Sequence, residues 1–206
     1  MSDTVLSFVL AVIQGLTEFL PISSSAHLLL PSLLFGLNDL GLSFDIAVHV
    51  GTLIAVIYYF RKEIALMLKS FFSSDKDLLP HRNLAISLIV ATIPIVISGL
   101  FVKDLIEQRI FNVEHIAIAN IIFAGILLFA YLKRKDIKNL YSVTLYSALF
   151  VGVFQSLALF PGASRSGTAI TAALLLGFNL KDASKFSFML GIPTIFGALV
   201  LLIIEM

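Results

Sequence analysis

Hydrophobic residues in this chain gather in long blocks that are almost free of charge. Four blocks, about 45–60, 84–102, 113–132 and 185–204, are each apolar for long enough to cross roughly 30 Å of hydrocarbon as a helix. Two more apolar blocks, 4–37 and 141–177, are interrupted in their middle by Pro and a cluster of Ser, Thr or Gly. A broken apolar block of this kind predicts a re-entrant helical hairpin. Non-helical backbone at membrane depth survives only where protein or a water-filled cavity satisfies its N–H and C=O groups, so the two hairpin tips are expected to be buried against each other. The pattern as a whole predicts an all-α, polytopic membrane protein with four full transmembrane spans, forming one integral membrane domain over 1–206.

The two interruptions resemble one another. QGLTEFLPISSSAH, Gln14 to His27, and QSLALFPGASRSGT, Gln155 to Thr168, align Gln on Gln, Phe19 on Phe160 and, with one deletion, Pro21 on Pro161. An internal repeat is the economical reading. Its first unit runs 1–138, with hairpin 4–37 and three spans, and its second 139–206, with hairpin 141–177 and one span; completing the second unit would take two further spans.

Composition agrees with the pattern. Only 13% of residues are charged and 59% are hydrophobic, against roughly 25% charged in an ordinary soluble domain. Cysteine is absent, which excludes disulfides, thiolate catalysis and thiolate-bound zinc. The net charge of +1 comes without a dense basic block, so no nucleic-acid partner is expected. Thr4 to Leu20 has no preceding basic cluster and no small-residue cleavage site, and reads as a retained helix.

The basic residues orient the chain in the cytoplasmic membrane. With the N-terminus outside, Arg61, Lys62, Lys69, Lys76 and Arg82 share one inner loop, Lys133, Arg134, Lys135 and Lys138 a second, and Lys181 and Lys185 a third. Only Lys103 and Arg109 then face outward, as the positive-inside rule requires, and Arg165 falls within the second hairpin. The first hairpin enters from outside and the second from inside. That is an inverted repeat, an architecture whose polar site lies near the membrane midplane.

Candidate chemistry sits at the two interruptions. Glu18 lies one helical turn beyond Gln14 on the same face, and an ionisable group at that depth is functional by default. Pro21 ends its helix. Ser23, Ser24 and Ser25 then supply hydroxyls and an N-cap for a second helix beginning near His27, whose imidazole can act as nucleophile, general acid or general base. PGASRSGT offers a Pro-Gly turn, the hydroxyls of Ser164, Ser166 and Thr168, and the Arg165 guanidinium ahead of an Ala- and Leu-rich helix, which are the parts of a phosphate cradle. His49, near the outer end of the first span, suits a headgroup-level or packing role at least as well as a catalytic one, and Pro94 and Pro193 read as kinks.

With these residues quoted, the sequence resembles the undecaprenyl pyrophosphate phosphatase, or bacitracin-resistance, family. The resemblance covers most of the chain: Gln14 with Glu18, LPISSSAH, FDIAVHVGT from Phe44 to Thr52, PGASRSGT, and FSFMLGIP from Phe186 to Pro193. It implies hydrolysis of a polyprenyl pyrophosphate to the monophosphate carrier lipid reused in envelope glycan synthesis. It further implies that Arg165, with Ser23, Ser164, Ser166, Gly167 and Thr168, binds phosphate. Glu18 would hold a divalent cation, Mg2+ or Ca2+, or activate the attacking group, and His27 or Ser24 would be nucleophile or base. Gln14, where many members have Glu, is a second candidate cation ligand. The expected partners are the lipid substrate, bilayer lipid and, as an open expectation, a second copy in a homodimer. A transporter or lipid flippase for a phosphorylated lipid is the rival reading, since broken helices and inverted repeats also build carriers.

Overall fold

The computed structural model describes residues 2–108 and 112–205; Arg109 of the outward loop lies outside them. The helices, in chain order, are α1 (Asp3–Thr17), α2 (Ser24–Phe35), α3 (Gly41–Tyr59), α4 (Arg61–Phe71), α5 (Leu79–Glu107), α6 (Val113–Lys133), α7 (Leu145–Ser156), α8 (Arg165–Leu175) and α9 (Leu180–Glu205). No strand occurs among the described residues. The fold is all-α. Four helical stretches, Gly41–Tyr59, Lys76–Val102, Val113–Lys133 and Leu180–Leu201, are long and apolar enough to cross a membrane. Phe8, Phe35, Tyr59, Phe101 and Ile121 all project outward, the surface expected of a protein whose solvent is lipid.

Hydropathy located the long helices but trimmed their ends. α5 starts at Leu79 and takes in His81, Arg82 and Asn83, and α9 starts at Leu180 and takes in Lys181 and Asp182. A helix satisfies its own backbone in lipid or water alike, so it runs on past the apolar block. Pro94 and Pro193 are carried inside these helices. The basic loop after α3 is itself partly helical. α4 turns Met67 and Ser70 inward, with Ile64 against the core, and leaves Arg61, Lys62 and Lys69 on its polar side.

Both broken blocks divide as the Pro residues suggest. The first is interrupted between Thr17 and Ser24, the second between Ser156 and Arg165. α2 begins at Ser24, three residues earlier than the sequence reading put it. Its N-cap, Ser23, has φ 59° and makes no side-chain cap hydrogen bond, its hydroxyl lying 3.4 Å from Ser25 Oγ instead.

The core lies where α5, α7, α8 and α9 meet. α7 packs chiefly on α5, at Gly152, whose missing Cβ lets the two backbones approach: any side chain there would strike the Ala91 carbonyl. At the second tip Gly162 adopts φ 100° and lies against the Ile116 carbonyl of α6. The two tips touch. The Leu20 carbonyl accepts hydrogen bonds from Ser166 Oγ at 3.1 Å and Ser164 Oγ at 3.5 Å, and Pro21 packs over Gly167. The Leu20 carbonyl, which also accepts from the Ile22 N–H at 2.8 Å, thus joins the backbone of one break to hydroxyls of the other.

Candidate active site

Glu18 occupies the last turn of α1, where its own N–H still donates to the Gln14 carbonyl at 3.0 Å. Pro21 stops that helix, and the chain doubles back through the left-handed Ser23 so that α2 starts beside the carboxylate. Ser24 Oγ then donates to Glu18 Oε2 at 2.6 Å, and Gln14 Nε2, one turn back, donates to the same oxygen at 2.8 Å. From the other broken pair, Arg165 Nη2 reaches Glu18 Oε1 at 2.5 Å. Glu18 is only 4% exposed, and a carboxylate so buried persists because donors face both of its oxygens.

The fourth neighbour is a residue whose role the sequence leaves open between headgroup level, packing and catalysis. His49 of α3 places Nε2 3.3 Å from Glu18 Oε2. Its Nδ1 lies 2.6 Å from the Asp45 carbonyl, which can only accept, so Nδ1 bears a proton; Nε2 faces the carboxylate and pairs with it when Nε2 is protonated as well. The available signal was the one that singled out Glu18: an ionisable side chain in an apolar span. Depth along the span suggested a headgroup position, but α3 rests on α1 and α9, and that packing carries His49 inward.

A cavity of about 250 Å³ opens beside this cluster, walled by Glu18, Ser23, Ser24, His49, Ser164 and Arg165, with Ser25, Asp45, Thr194 and apolar residues completing it. His27 lies elsewhere. It lines a neighbouring cavity of about 390 Å³ with Asn120, Gly167 and Thr168, and its Nδ1 hydrogen-bonds the Ser23 carbonyl at 2.8 Å. The hydroxyls of PGASRSGT are likewise divided. Ser164 reaches both cavities and accepts from the Gly167 N–H at 3.1 Å as the N-cap of α8, Ser166 is spent on the Leu20 carbonyl, and Thr168 donates to the Arg165 carbonyl at 3.0 Å. Glu18, Ser24, Ser23, Ser164 and Arg165 therefore share one cavity wall, while His27, Gly167 and Thr168 face the other.

No cluster of three or more His, Cys, Asp or Glu side chains occurs among the described residues, so there is no preformed cation cage. One oxygen donor is left over: Gln14 Oε1 is buried without a hydrogen-bond partner beside Glu18. Oxygen donors of this kind suit a hard cation that keeps several waters and shares phosphate oxygens with its substrate.

Residues 7–206 match the family described as bacitracin resistance protein BacA. The chain is 52% identical over 187 residues, 90% of its length and 71% of the relative's, to an undecaprenyl-diphosphatase of Saccharophagus degradans. It is 50% identical over 189 residues, 91% of its length and 71% of the relative's, to undecaprenyl-diphosphatase 1 of Pseudoalteromonas translucida. With the match running through both broken helix pairs and the cavity between them, this chain belongs to the bacitracin resistance protein BacA family.

Proposed function

We propose that this chain hydrolyses undecaprenyl diphosphate to undecaprenyl phosphate and inorganic phosphate at the Glu18–Arg165 cavity, recycling the carrier lipid for envelope glycan synthesis. The family membership and the named relatives support the reaction. The observation that carries the site is that a hydroxyl, a carboxylate and a guanidinium from separate helices converge on one cavity: Ser24 Oγ and Arg165 Nη2 both bond Glu18. In this reading the diphosphate draws Arg165 toward its terminal phosphoryl oxygens, which a planar fork of donors suits. Ser24 Oγ attacks the terminal phosphorus, its proton passes to the Glu18 carboxylate, and the bond from phosphorus to the bridging oxygen breaks. Undecaprenyl phosphate leaves, and water then cleaves the serine phosphate to release inorganic phosphate. His27, through its bond to the Ser23 carbonyl, fixes the turn that aims Ser24.

A divalent cation, Mg2+ or Ca2+, would be held by Glu18 and Gln14 and would neutralise charge on the diphosphate. The two broken pairs are read as re-entrant hairpins entering from opposite faces, an inverted repeat with the N-terminus outside. The tip-to-tip hydrogen bonds and the basic-residue distribution favour this.

The decisive experiment measures inorganic phosphate released from a polyprenyl diphosphate by the purified chain in micelles, with and without chelator. Release that chelation suppresses supports the whole reading; no release in added Mg2+ or Ca2+ sinks it. Wild-type turnover by Ser24→Ala would transfer the nucleophile's role away from Ser24. A cysteine at Ser25 is expected to react with an impermeant reagent outside intact cells, and one at Asn139 is not; outside labelling of the latter would reverse the orientation.

A further inference from the structure

We infer that Gly191 of α9 is a positioning residue for Arg165: the lack of a side chain at this one helical position gives the guanidinium its seat. A Cβ built at Gly191 would fall 2.6 Å from Arg165 Nη1, 2.9 Å from Nη2 and 3.0 Å from Cζ. All three distances are far inside ordinary carbon contact, so the fork lies directly on the α9 backbone. Gly152 and Gly162 also leave no room for a Cβ, but they meet the backbones of Ala91 and Ile116, which is helix packing. Gly191 meets the functional end of a side chain.

The tip of an arginine usually swings aside at little cost. Here it is confined, because Nη2 is bonded to Glu18 and the side chain is only 15% exposed. α9 cannot withdraw easily either. Ser187 Oγ donates to the Ser166 carbonyl at 3.2 Å, tying it to the first turn of α8, and Met189 and Leu190 are fully buried. A methyl group at Gly191 therefore moves the guanidinium off its line between Glu18 and the cavity. Glycine is a poorer helix former than alanine, so space, not helix formation, accounts for its presence here. The segment FSFMLGIP thereby gains a physical role: it sets the angle of the Arg165 fork.

The inference rests on Arg165 binding phosphate, and the test separates the two. Phosphate release would be measured for Gly191→Ala, Gly197→Ala, Arg165→Lys and the double variant Gly191→Ala/Arg165→Lys. Gly197 lies on the same helix with nothing nearer to its absent Cβ than Val96 at 3.6 Å, so its alanine variant should stay within about twofold of wild type. Gly191→Ala should lose about tenfold or more in kcat/KM, since misplacing a catalytic contact by 1 Å can cost about a hundredfold. The double variant should be no worse than Arg165→Lys, because a narrow ammonium leaves room for the methyl group. Wild-type turnover by Gly191→Ala overturns the inference. So does a double variant that falls below Arg165→Lys by the factor Gly191→Ala shows alone. Wild-type turnover by Arg165→Lys removes the phosphate-binding role and the inference with it. If Gly191→Ala does not accumulate, accumulation of the double variant supports the displaced guanidinium and its failure overturns it.

Discussion

The two broken helix pairs begin from nearly the same pattern and end in different surroundings. α8 is buried continuously from Ser166 to Leu174, whereas α2 buries only Ser24, Ala26 and Leu28 and leaves Leu34 and Phe35 outward. Their polar residues have diverged as well. Gln14 is followed four residues later by Glu18, but Gln155 is followed by Leu159, and Gln155 Oε1 instead accepts from Thr194 of α9 at 3.4 Å. The first pair carries the anion and the hydroxyl, the second the cation. The proposed site needs both, and the meeting of the two broken pairs brings opposite charges together from separate arms, with α8 as the anchored arm.

The largest test of this division removes one charge at a time. Glu18→Gln keeps the shape of the side chain but takes no proton from Ser24, and phosphate release should drop by roughly 10²–10⁴. The chain should still accumulate in the membrane, because α8 is held by its own apolar burial. Loss of the folded protein in this variant would mean that the ion pair, not burial, fixes the second arm. Arg165→Ala should lose roughly 10²–10³ in turnover, and Arg165→Lys nearly as much, since an ammonium keeps the charge without the fork. A lysine variant close to wild type would reduce the contribution of the second arm to charge alone.

A smaller effect separates anchored from peripheral burial. Ala172 is fully buried in α8, so Ala172→Leu should destabilise by about 1–3 kcal/mol through overpacking, read as a lower thermal midpoint in micelles. Leu34→Ala on the outer face of α2 should stay within about 0.5 kcal/mol. Equal shifts at the two positions would erase the contrast. The smallest effect lies at the turn into α2, where Ser23 holds φ 59° without being glycine. Ser23→Gly should raise stability by about 1 kcal/mol, and Ser23→Val should lower it by about as much or more. A Ser23→Gly variant less stable than wild type would show that the buried hydroxyl outweighs the backbone strain.

The sequence by itself determined the four long apolar helices, the two interruptions and the placing of Glu18, Ser24 and Arg165 at them. Length and absence of charge decide what crosses hydrocarbon, and Pro with small polar residues decides where a helix stops; both properties belong to the chain locally. The remainder depended on which helices lie side by side. His49 reads as peripheral by its depth along α3, and only the packing of that helix on α1 and α9 brings its imidazole to Glu18. His27 sits three residues from Ser24, yet its ring bonds back to the Ser23 carbonyl and faces the cavity beside α6. Gly191 is one small residue among many in an apolar helix until Arg165 is found lying on it. Periodicity says which residues share a helical face, but the rotation of that face and the neighbour it meets are set by the fit of all the helices together, and only the tertiary structure contains that fit.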